Sequence, residues 1–174
     1  GKFHAIAGTD DDYKSFRNRI HQSDLQITPL SSIYTFENDV AKVKLSFTTP
    51  LLLDRLDILT RPVSYMAYEV EVKQENVEDV HFVFGISSQG CVNRRDQSIE
   101  FKQTPFSMSC GNVVQNPLSW ADDRVTIDWG YLHLCDKDAY IAGPPHMYLG
   151  MNTIGRTTDI RRIINNFPIN KLYN

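Results

Sequence analysis

Apolar and polar residues alternate two by two along most of the chain from Thr28 onward, the mark of half-buried β-strands. In "AKVKLSFTT" (41–49), Val43, Leu45 and Phe47 alternate with Lys42, Lys44 and Ser46. In "SYMAYEVEVK" (64–73), Met66, Tyr68, Val70 and Val72 share one face, and Glu69, Glu71 and Lys73 share the other. Val80, Phe82, Phe84 and Ile86 line up in "DVHFVFGISS", and "SIEFK" and "FSMSC" repeat the pattern more briefly. "RVTIDWGYLHLC" (124–135) is apolar on both faces, as a central strand would be. Turn signals at Glu37-Asn38-Asp39, Gln74 to Glu78, Asn93 to Asp96 and Asn116 to Asp123 separate these runs.

Seven or eight strands at this spacing, with no long amphipathic helix between them, predict an all-β fold, a mainly antiparallel β-sandwich. Short helices are expected only near the termini. "TDDDYKSFRNRI" (9–20) has Thr9 or Asp10 as N-cap, and "TTDIRRIINNF" (157–167) has Thr158 or Asp159 capping an Ile160, Ile163, Ile164 stripe. No internal repeat or low-complexity segment interrupts the 174 residues, so a single domain is expected, with residues 1–26 as an appendage of open structure. The chain starts at Gly1 and stops at "FPINKLYN", which reads as a domain excised from a longer protein.

Charge and cysteine content remove several function classes. A net charge of −3, with no basic cluster longer than Arg161-Arg162, disfavours nucleic acid as a partner. No apolar run approaches the ~20 residues that cross a bilayer, so no membrane partner is expected. There is no charged and apolar leader, and cytoplasmic and secreted locations both stay open. Cys91, Cys110 and Cys135 form no C-x-x-C and no tight cluster with histidine, so no metal site is expected. Three thiols, or one disulfide and a spare thiol, are both compatible with that spacing.

Catalytic patterns are missing too. There is no G-x-S-x-G, no H-E-x-x-H and no Gly-rich phosphate loop, and the histidines at 4, 21, 81, 133 and 146 are scattered. No catalytic residue and no cofactor are therefore assigned. Asp122-Asp123 falls where a turn is expected. Asp128 is more informative, because a carboxylate inside an apolar strand must be paired or hydrogen-bonded. An arginine or backbone N–H groups would serve, and a ligand or domain-contact surface is the alternative. Trp129 and Tyr131 share a face with Ile127 on a regular strand. They and Trp120 are either packed rings or a stacking platform. Asp128, Trp129, Tyr131 and Trp120 are thus the candidate contact residues.

A family resemblance runs through the same residues. "ITPLSSIYTFENDVAKVKLSFTTPLLLDRLDILTRPVSYMAYEVE", then "CVNRRDQSIEF" and "GNVVQNPLSWADDRVTIDWGYLHL", resemble the N-terminal region of the glutaminase A-type family of fungi and bacteria. The ordered series F-T-x-P-L-L-L-D, R-P-V-S-Y, C-V-N and I-D-W-G-Y carries the likeness, from about Ile27 to Pro145. Residues 1–26 depart from the fungal pattern in lacking a Trp- and Gly-rich segment. The resemblance implies a non-catalytic β-sandwich accessory domain. Its partner would be a C-terminal helical domain of the same parent chain, which hydrolyses L-glutamine to L-glutamate and ammonia. It also implies an interdomain surface through which the separated domain can self-associate. Two other readings remain: a carbohydrate-binding module using Trp120, Trp129 or Tyr131, and a small enzyme built on Asp128 and a nearby acid.

Overall fold

The computed structural model describes residues 2–8, 17–75, 77, 79–94, 96–105, 107–118, 126–135, 139–142, 148–156 and 162–172. Among them the fold is all-β. The strands are β1 (His21–Ile27), β2 (Ser31–Glu37), β3 (Ala41–Thr48), β4 (Val63–Val72), β5 (Asp79–Ser87), β6 (Ile99–Thr104), β7 (Ser107–Asn112), β8 (Tyr131–Leu134), β9 (Ala139–Ala142), β10 (Tyr148–Arg156) and β11 (Arg162–Leu172). One helical turn, α1 (Leu56–Leu59), and one 3-10 turn (Ser88–Cys91) interrupt them. The residues divide into two compact units. One comprises Gly1–Thr49, Tyr65–Val80 and Gly155–Asn166; the other comprises Pro50–Ser64, His81–Ile154 and Phe167–Asn174.

The first unit is an antiparallel meander, β1-β2-β3-β4. Its register follows from the alternation in the sequence. Val43 lies opposite Val70, Leu45 opposite Tyr68 and Phe47 opposite Met66. Of these, Val43, Leu45, Met66, Tyr68 and Val70 are buried. The other face sets Lys42 against Glu71 and Lys44 against Glu69, so opposite charges fix the same register from the solvent side. The β2–β3 turn is held by Asn38, whose Oδ1 accepts the Val40 and Ala41 N–H groups at 2.9 and 3.0 Å.

The second unit carries the order β6-β7-β8-β11 in one sheet and β5-β10-β9 in another. β7 pairs antiparallel with β6 and β8, and β8 pairs antiparallel with the Ile169–Leu172 end of β11. Phe82, Cys91, Val92, Met108, Cys110, Leu132 and Leu134 are buried here.

Two expectations need correction. The C-terminal segment expected to be helical from 157 to 167 is strand from Arg162 onward. An Ile-rich stripe does not by itself distinguish the two periods. Asn165-Asn166 are weak helix formers, and β8 offers a ladder partner to Ile169–Leu172. At the other end, residues 9–16 lie outside the described residues, and 17–20 form bends and an isolated Ala5–Arg19 bridge rather than a helix. The strands also begin earlier than Thr28, because β1 occupies His21–Ile27.

Candidate functional site

The D-W-G-Y stretch lies wholly in the second unit, at the entrance to β8. Only Tyr131–Leu134 is strand; Thr126–Gly130 is a loop that bends at Trp129 and Gly130. Gly130 has φ 89°, a left-handed conformation that a side chain would strain, so the glycine makes the kink. Among the described residues Asp128, Gly130, Leu132 and Leu134 are buried, whereas Ile127 is exposed and Trp129, Tyr131 and His133 are half-buried. The faces are therefore reversed from a ring-in arrangement. The carboxylate side faces the interior, and the rings lie on the more open side.

Asp128, only 6% exposed, meets an amide, and no arginine among the described residues. Gln97 Nε2 donates to its Oδ2 at 2.7 Å, and Gln97 Oε1 accepts the N–H groups of Asn93 and Arg94 at 2.7 and 2.8 Å. Gln97 thus closes its own turn with one end of its amide and holds the carboxylate with the other. On the far side, Asn112 Nδ2 donates to the Asp128 carbonyl at 2.9 Å. Gln115 Oε1 accepts the Gly130 N–H at 2.6 Å, while its Nε2 donates to the Asn112 carbonyl at 2.6 Å. Asn93 Oδ1 accepts the Thr126 N–H at 3.0 Å, and the Thr126 hydroxyl donates to the Val92 carbonyl at 3.2 Å.

Four amide side chains from two segments therefore grip the loop 126–130. Both segments begin with a cysteine: Cys91-Val92-Asn93 leads to Gln97, and Cys110-Gly111-Asn112 leads to Gln115. The two arms share Cys-x-Asn followed by Gln, four residues after Asn93 and three after Asn112, but that spacing does not name the loop 126–130 as their partner. Cys91 and Cys110 lie side by side beneath it, with 3.8 Å between their sulfurs.

The ring side has its own partners. Tyr131 donates its hydroxyl to Glu100 Oε1 at 3.1 Å, and Lys102 Nζ reaches the same oxygen at 3.0 Å while lying 5.2 Å above the Tyr131 ring. The Lys102 ammonium, and after it the Tyr131 hydroxyl, hold the Glu100 carboxyl below the usual carboxylate range. Tyr131 also fills the place of a side chain at Gly111. A Cβ there would stand 2.5 Å from Tyr131 Cδ1 and 2.7 Å from Cε1.

His133 follows Tyr131 on the same side, with ring centroids 6.4 Å apart. Burial penalises its imidazolium and lowers its pKa from the ordinary imidazole value. Because the folded-state pKa is the lower one, the unfolded chain takes up this proton first as pH falls. The His133 contribution to stability is complete above about pH 6.5 and is lost as pH falls through the folded-state pKa. His133→Gln should therefore lose less melting temperature than the parent between about pH 7.5 and pH 5. Parallel losses in the two proteins would refute that assignment.

Trp120 and Asp122-Asp123 lie outside the described residues. Among the described residues no three His, Cys, Asp or Glu side chains gather as a metal site. Asp128, Trp129 and Tyr131 come together as one loop-and-strand unit, with Asp128 committed to holding it in place. No curated protein matches the chain. The model of a family described as "Domain of unknown function (DUF5127)" matches residues 30–165, most of the chain's 174 residues, and the chain belongs to that family.

Proposed function

We propose that this chain is a non-catalytic accessory domain of a glutaminase-like hydrolase, with amide hydrolysis carried out by a helical domain of the same parent polypeptide. The observation that carries this reading is the state of Asp128. Its carboxylate is buried and receives Gln97, and its backbone carbonyl is tied to Asn112, so the group braces a loop. A general acid or base must instead reach a substrate proton within about 2.6–3.2 Å. The resemblance of "CVNRRDQSIEF" and "DWGY" to the N-terminal region of glutaminase A-type proteins supplies the substrate class. In this reading the more open side of the loop, with Ile127 and Trp129, is part of the surface offered to the helical domain.

The carbohydrate-binding alternative draws on the same open side, where Trp129 and Tyr131 lie. Against it, the Tyr131 ring already has Lys102 above it and its hydroxyl is bonded to Glu100. A sugar would have to displace both.

An ammonia assay tests the proposal. The purified chain should release no more ammonia from L-glutamine than its heat-killed control, while the parent polypeptide should release it catalytically. Turnover by the chain alone would overturn the non-catalytic assignment. An inactive, folded parent polypeptide would overturn the glutaminase assignment.

A further inference from the structure

We propose that Cys91 and Cys110 form a disulfide that staples the 3-10 turn Ser88–Cys91 to strand β7. Both residues are 1% exposed, and their sulfurs lie 3.8 Å apart. Cys110 sits inside β7, paired to Phe101 on one side and Leu132 on the other. Cys91 ends the four-residue 3-10 turn, and its Sγ also donates to the Cys110 carbonyl at 3.5 Å. A bond requires the two sulfurs to close the remaining ~1.8 Å to about 2.05 Å.

The bridge would close the segment between residues 91 and 110, and that segment carries Asn93 and Gln97. It would thus pin both Cys-x-Asn arms at their origin, directly beneath the amides that hold the 126–130 loop. Cys135 is half-buried at the end of β8 and takes no part.

The reaction is thiol–disulfide exchange with a small disulfide of the oxidised-glutathione class. One cysteine thiolate attacks the small disulfide, its S–S bond breaks, and one small thiol leaves as a mixed disulfide forms. The second cysteine thiolate attacks the protein sulfur of that mixed disulfide and expels the second small thiol. Two protein S–H bonds become one S–S bond, and two electrons pass to the small disulfide, which ends as two thiols. Contact with Cys91 and burial both push the Cys110 thiol up, so thiolate is scarce in the folded protein. Exchange consequently belongs to the folding chain, and the finished bridge is then shielded from small reductants by its burial.

The test is refolding of the denatured, reduced chain in a buffer of reduced and oxidised glutathione. Iodoacetamide quenching, digestion and mass spectrometry follow. The expected product joins the Cys91 and Cys110 peptides and leaves Cys135 alkylated. Its Tm should exceed that of the chain refolded in dithiothreitol by about 6–12 °C, given the length of the closed loop. Cys91 and Cys110 both alkylated, or either joined to Cys135, would overturn the proposal. The Tm difference should vanish in Cys91→Ala/Cys110→Ala and persist in Cys135→Ser. The reverse pattern in these variants would overturn it as well, and the Cys135→Ser variant keeps the test readable should the double variant not fold.

Discussion

Leu134→Ala should lower the stability of the protein by about 2–5 kcal/mol, measured as a shift of the urea unfolding midpoint. Leu134 is 0% exposed and lies in β8, opposite Met108 of β7 and Ile169 of β11. Truncation removes apolar contacts from the middle of a sheet that is laddered on both sides and leaves a cavity that strand backbones cannot collapse into. A typical domain has about 5–15 kcal/mol in all, so the loss is a large share of it. Leu134→Met keeps the volume and should cost less than about 1.5 kcal/mol. A loss below about 1 kcal/mol for the alanine variant would mean that β8 is not packed between its two neighbours.

Asp128→Ala should cost about 2–3 kcal/mol, and Asp128→Asn about 1 kcal/mol or less, in the same measurement. Alanine leaves the Gln97 Nε2 group without its acceptor in a part-buried place. Asparagine keeps an oxygen where Gln97 points, exchanges a charged acceptor for a neutral one and removes a charge from the interior. Had the partner been an arginine, neutralising Asp128 would strand a buried cation at a cost of about 3–5 kcal/mol. The contrast between the two variants is therefore the measurement. Equal and large losses would refute the amide pairing and point to a cation beside the carboxylate.

Much of the first unit was legible because β3 and β4 are wet on one side only. In β3 and β4 every second residue is apolar, and the lysines and glutamates between them even give the register. β1 was not legible, since all seven of its residues are exposed and nothing in them alternates between interior and solvent. β11 was misread because isoleucines suit either period, and Pro168 speaks against a helix continuing through it without favouring a strand. Around Asp128 the sequence identified the costly group but not its partner. Gln97, Asn112 and Gln115 reach the loop from 31, 16 and 15 residues away, and no local pattern encodes such pairings. Which face turns inward was left open there, and Asp128 is the buried side. Rings are the larger apolar groups, yet the Gly130 kink and the amide grip turn the carboxylate inward instead.

The close fit of Gly111 against the Tyr131 ring makes the order of mutations matter. While the tyrosine is present, any Cβ at position 111 meets ring carbons at 2.5 and 2.7 Å and the Gly130 carbonyl at 3.0 Å. For the ring to swing away, its hydroxyl must give up its hydrogen bond to Glu100 Oε1. Residue 131 must therefore shrink before residue 111 can grow, and the opposite order passes through an overpacked intermediate. The two positions form an epistatic pair with one open path between them.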